Sequence, residues 1–198
     1  MSLFTEPLPL RYEFEGKTYE MHTDFREWMR FEMLMLDEDI LPDERAVLLF
    51  KLIFPVVPPD PELGSFLIWF YSCGRKPNKV KSRKASKHKN NAAIYSFEFD
   101  DGYIYAAFKE VYGIDLMEIE YMHWWQFKAL FKGLHGCKFC DIMSCRSEEI
   151  TDKTPQWKKA HLQECKQLYA LPKSLSEQQK IAEAKRLMLD WKNNTALG

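Results

Sequence analysis

Residues 94–134 read IYSFEFDDGYIYAAFKEVYGIDLMEIEYMHWWQFKALFKGL, and this stretch decides the fold. Ile104, Ala107, Phe108 and Val111 recur at helical spacing, and Gly113 follows where a left-handed cap would end such a helix. A second helix is expected to begin at once. Asp115 is three residues before Glu118, as in a capping box, and Ile114 and Ile119 occupy staple positions, so the predicted helix covers 116–133. On a helical wheel Leu116, Ile119, His123, Phe127, Leu130 and Leu134 share a core face, with Trp124 and Phe131 on its flank. Tyr121, Trp125, Lys128 and Lys132 fall on the other side. An exposed indole there needs a cover, either from this chain or from a partner. The second case makes Tyr121, Trp125, Lys128 and Lys132 a partner-binding group with Trp125 as its anchor.

Upstream, Tyr12, Phe14, Tyr19 and Met21 alternate with polar residues around Glu15-Gly16, the pattern of a short β-hairpin. Two strands alone are marginal, and the next segment offers a helix to cover them. Asp24 with Glu27 forms a capping-box variant, Phe25, Trp28, Met29 and Leu36 lie on one face, and the helix should end near Asp37. Pro42 suits the first turn of another helix, whose stripe is Ala46, Leu49, Leu52 and Ile53. The run FLIWFY from Phe66 to Tyr71 is apolar in every direction and belongs in a core. Downstream, Thr154-Pro155 opens a helix reaching about Tyr169, and Ser174 with Glu177 caps one reaching about Asn193.

The expected fold is mainly α (α+β), a helical domain with a small amino-terminal hairpin. Residues 1–73 supply the hairpin and first helices, 74–91 a basic flexible loop, 92–136 a helical pair packing on the first part to form one core, and 137–198 a helical extension. With 198 residues, 46% of them hydrophobic, one sizeable core is affordable and two full domains are not. No apolar run approaches the roughly 20 residues a membrane helix needs, and the first residues lack a secretory pattern, so a cytoplasmic protein with no membrane contact is expected.

The net charge of -1 hides an uneven distribution. Residues 1–72 hold 6 Lys/Arg and 14 Asp/Glu, whereas 74–91 hold 8 Lys/Arg and no acid. That basic stretch carries no aromatic to stack on bases, which favours a solvated loop over nucleic-acid binding. Five cysteines, an odd number, argue for reduced thiols or a metal site over a disulfide framework. Cys137 and Cys140 form C-x-x-C, and His161 and Cys165 follow, with Cys145 in reserve. The set could offer four soft ligands to tetrahedral zinc, although two of them sit on a helix of unknown orientation. Absence of a cofactor is the main expectation and zinc the alternative. Glu120 and His123 have the spacing of a di-metal bundle ligand pair, but no second such pair exists, and a core histidine beside a carboxylate explains them. No nucleophile elbow, phosphate-cradling glycine loop or dinucleotide fingerprint occurs, so an enzyme is not expected.

The order IYAAF at 104–108, YGIDL at 112–116 and HWW-x-F-x-A-L at 123–130, behind an aromatic and acidic lead-in, resembles the phage family called gene product fifteen. The stretch YEFEGKTYEMHTDFREWMRF at 12–31 and the lysine-rich loop are similar to that family too. The resemblance implies a protein encoded among tail genes of phages and prophages of Gram-positive bacteria, acting in the host cytoplasm. It also implies a non-enzymatic role in tail morphogenesis: a tail assembly chaperone for the tape-measure protein, with other tail proteins as partners and self-association open. The alternatives are a structural tail component and a zinc-dependent nucleic-acid-binding module. Cys137, Cys140 and Cys165 do not belong to the family pattern.

Overall fold

The computed structural model describes residues 5–75 and 93–172. The predicted basic loop falls almost wholly outside them, as does the helix expected from Ser174. The described part is mainly helical with a small antiparallel hairpin. Strands β1 (Arg11–Phe14) and β2 (Lys17–Glu20) pair with Tyr12 opposite Tyr19 and Phe14 opposite Lys17. Glu15 and Gly16 between them have φ of 48° and 73°. Two left-handed residues in succession match the twist of a two-residue hairpin, which the Glu-Gly pair predicts.

Helix α1 (Phe25–Leu36) is capped by Asp24, whose carboxylate accepts from the Arg26 amide, so the reciprocal box with Glu27 does not form. Its inward face is Phe25, Trp28, Phe31 and Glu32. Leu36, expected on that face, is exposed because the last turn of α1 runs past the edge of the core. Helix α2 (Pro42–Ile53) starts with proline in its first turn and packs back along α1, burying Ile53. Helix α3 (Leu63–Tyr71) carries the apolar run; Leu63, Leu67 and Phe70 are buried, while Ile68 reaches solvent.

Helix α4 (Asp101–Tyr112) ends at Gly113, which has φ of 68°. Its amide donates to Lys109 O at 3.0 Å and the Ile114 amide to Phe108 O at 3.3 Å, closing the helix as a left-handed C-cap should. The predicted helix over 116–133 is replaced by something shorter. Asp115 caps a single turn, accepting from the Met117 amide at 3.0 Å, and the chain then extends to His123 before α5 (Trp124–Gly133) begins.

A non-local pairing explains the late start. Phe25 N donates to Met122 O at 2.9 Å and Trp124 N to Thr23 O at 2.9 Å, a short bridge between the two stretches that open α1 and α5. Asp24 also accepts from the Met122 amide at 3.1 Å, and the Arg26 guanidinium donates to Leu116 O at 3.1 Å. Two helix starts thus satisfy each other's free amides.

Helix α6 (Lys138–Ser147) follows Gly136, whose φ is 63°, and α7 (Gln156–Leu168) matches the helix expected from Thr154-Pro155. Buried residues from Met21 to Phe139 form one cluster around α5. Arg146 fastens α6 with a two-pronged contact to Asp100, at 2.6 and 2.9 Å, and donates to Tyr169 O at 2.7 Å.

Candidate interaction surface

The sequence points to α5 first. Trp125 and Lys128 do share one side of this helix, but that side faces α3 and the chain at 95–97, not solvent. Trp125 is only 3% exposed. It packs on Trp69, Phe70 and His123, and its indole N–H donates to Phe70 O at 2.8 Å. Trp124 does the same for Tyr71 O at 3.0 Å, so two consecutive indoles tie α5 to carbonyls at the end of α3. The cover for Trp125 therefore comes from this chain. Tyr121 lies before the helix, exposed, with its hydroxyl 2.8 Å from Thr23 Oγ1, and Lys132 is exposed at the far end. The four residues do not form a common outer face.

Lys128 is 8% exposed and lies 3.4 Å from the carboxylate of Glu32, itself 5% exposed. The rings of Tyr71, Trp124 and Phe131 stand around the ammonium, with centroids at 5.2, 4.8 and 5.8 Å. Tyr71 donates its hydroxyl proton to Glu32. Burial first, and then the charge of Glu32, pushes Tyr71 and Tyr95 well above the ordinary phenol range, so both stay protonated donors. This arrangement is a satisfied internal ion pair. His123 is equally internal: Nδ1 accepts from the Trp125 amide at 3.0 Å, completing an N-terminal box with Gln126, and Nε2 lies 3.1 Å from Pro9 O. Nε2–H is therefore the donor, and burial lowers the imidazole below its usual pKa. Glu120 is exposed and bears no relation to it.

The surface left open is elsewhere, at the corner where α1 turns into α2. Met33 and Leu36 on α1, Leu41 at 71% exposure before α2, and Val47 and Leu48 on α2 all reach solvent. Leu41, Glu44 and Leu48 are spaced to share one side of the helix start. Asp37, Glu38, Asp39, Asp43 and Glu44 lie among these apolar groups along the chain, and Arg45 is the one basic residue in 33–48. Asp43 and Glu44 also favour the first turn of α2 through the helix dipole, which is their structural role. An apolar strip with an acidic margin can hold the apolar side of a helix whose polar margin is basic. Sequence reasoning missed this surface because it placed Leu36 on the core face of the first helix.

A protein-family model described as Bacteriophage Gp15 protein matches residues 4–171. The chain belongs to this family. Membership makes it a phage protein of the structural or morphogenetic kind. No curated protein and no solved structure matches the chain.

Within the Gp15 match, four of the five cysteines fall into two pairs. Cys137 and Cys140 have sulfurs 3.4 Å apart, while Cys145 meets Cys165 across α6 and α7. His161 is exposed, and among the described residues no group of three or more His, Cys, Asp or Glu side chains is placed to hold a metal. Cys137, Cys140, His161 and Cys165 therefore do not converge as a tetrahedral set. Nor, among the described residues, is any helix long and apolar enough to cross a membrane.

Proposed function

We propose that this Gp15-family chain is a non-enzymatic tail assembly chaperone, acting in the bacterial cytoplasm, that holds the tape-measure protein before tail-tube subunits polymerise. The observation that carries this reading is the α1–α2 corner, where exposed Leu36, Leu41, Val47 and Leu48 lie among five carboxylates along the chain. A tape-measure protein is long, and its amphipathic helical segments can lay an apolar side on such a strip. Each contact is weak, but many copies along one client give avidity without a large single interface.

Coexpression with the tape-measure protein of the same phage tests the proposal. The wild-type chain should keep the client soluble and co-purify with it. A Leu41→Ser, Val47→Ser, Leu48→Ser variant should fold normally, because all three side chains are exposed, yet lose the client. A client that stays insoluble beside the wild-type chain would sink the proposal. Recovery of the chain at stoichiometric level in purified virions would assign it to the tail structure instead.

A further inference from the structure

The geometry points to Cys137 and Cys140 as a reactive dithiol that low-molecular-weight disulfides convert to an intramolecular disulfide. The two sulfurs are 3.4 Å apart, so side-chain rotation of little more than an ångström brings them to the bonding distance of about 2.05 Å. Their placement supplies the chemistry. Cys137 is the N-cap of the ten-residue helix α6, and no side-chain hydrogen bond satisfies that cap. The Cys137 S–H is directed instead at Cys140 Sγ, which accepts it, so the two sulfurs already face each other.

Cys140 lies one turn along and is the more accessible of the two, since Cys137 is buried and Cys140 only partly so. Phe139 between them is fully buried against Phe131 and holds the first turn in place, and Gly136 with φ of 63° makes the turn that brings the chain in. Closing this pair constrains only a short C-x-x-C loop and leaves α5 and α6 where they are. The other thiol pair differs: Cys145 is buried, and its contact with Cys165 joins two helices 20 residues apart in the chain.

The step balances as a thiol–disulfide exchange. The Cys140 thiolate attacks one sulfur of the oxidant, its S–S bond breaks, and one thiolate leaves. The Cys137 thiolate then attacks the Cys140 sulfur and expels the second. The protein loses two protons and two electrons, and the oxidant becomes two thiols.

The test uses the full chain equilibrated in glutathione buffers of rising oxidised fraction, quenched with acid, alkylated and mapped by peptide mass. The expected result is at least a tenfold fall in alkylation of Cys137 and Cys140 together, with a directly detected 137–140 crosslink, before Cys73 changes. In the Cys137→Ala variant a glutathione adduct should accumulate on Cys140, because nothing is left to resolve it. The circular dichroism spectrum of each sample establishes that it is folded. Folded wild-type chain that keeps both thiols alkylatable in oxidised glutathione overturns the inference. So does a stable adduct on Cys140 in the wild type, or stoichiometric zinc that protects the pair until a chelator removes it.

Discussion

Replacing Lys128 with methionine separates a core cation from a partner-facing one. Methionine keeps most of the apolar stem and removes the ammonium, leaving Glu32, at 5% exposure, with phenol donors and no positive charge. Breaking a buried ion pair from one side costs about 3 to 5 kcal/mol. The 3.4 Å separation between Nζ and the carboxylate puts the expectation near the lower end, about 3 kcal/mol. For a chain of this size each kcal/mol moves the midpoint by roughly 2–4 °C, so Tm should fall by about 6–12 °C. Urea unfolding at pH 7 followed by circular dichroism gives the free energy directly. A Glu32→Leu, Lys128→Met pair should recover most of the loss, since no buried charge remains. If Lys128→Met costs less than about 1 kcal/mol, or the double variant is as damaged as the single one, the internal pair does not hold these helices together.

Arg146→Ala should cost about 3–5 kcal/mol in the same urea assay, because Asp100 is 1% exposed and loses its two-pronged partner. Arg146→Lys should recover only part of it, as one ammonium cannot match the fork. Gly74→Ala should lower Tm, because φ is 70° there and the added methyl would stand 2.8 Å from the Trp125 ring; an unchanged Tm would mean that α3 and α5 do not approach so closely. His123 sets an acid limit. Its folded pKa is lowered by burial, so its contribution is complete above the unfolded value of about 6.5 and declines as pH falls toward the folded one. Asp115, held at about 2 chiefly by Lys109, acts only below about 3.8. His123→Asn, which retains a capping acceptor, should flatten the stability profile as pH falls below about 6.5.

Local signals in the sequence were legible. The Glu15-Gly16 turn, the Asp24 cap, Pro42 and the left-handed Gly113 each act within a few residues, and each stands where the pattern places it. The start of α5 was not legible, because the Asp115 signal is satisfied by a single turn. What delays the helix is main-chain pairing of 122–124 with 23–25, about a hundred residues away. Lys128 reads as a surface lysine for the same reason: its carboxylate lies 96 positions earlier, on α1. Spacing on a wheel says which residues share a side, not which side is covered. Trp125 and Lys128 do share one, and α3 and the 95–97 segment cover it. Helix α6 escaped notice because its buried set, Phe139, Ile142 and Cys145, is too short to show a period. The closeness of Cys137 and Cys140 was visible as C-x-x-C, but their distance from His161 was not.

The central claim is that the α1–α2 corner is the client surface while the α5 tryptophans are core. Amide hydrogen exchange of the full chain, alone and bound to the tape-measure protein, measures both at once. Exchange should slow over peptides covering 33–48 when the client is bound, and peptides from α5 should be equally protected in both states. Unchanged exchange at the α1–α2 corner, with new protection elsewhere, would contradict the account.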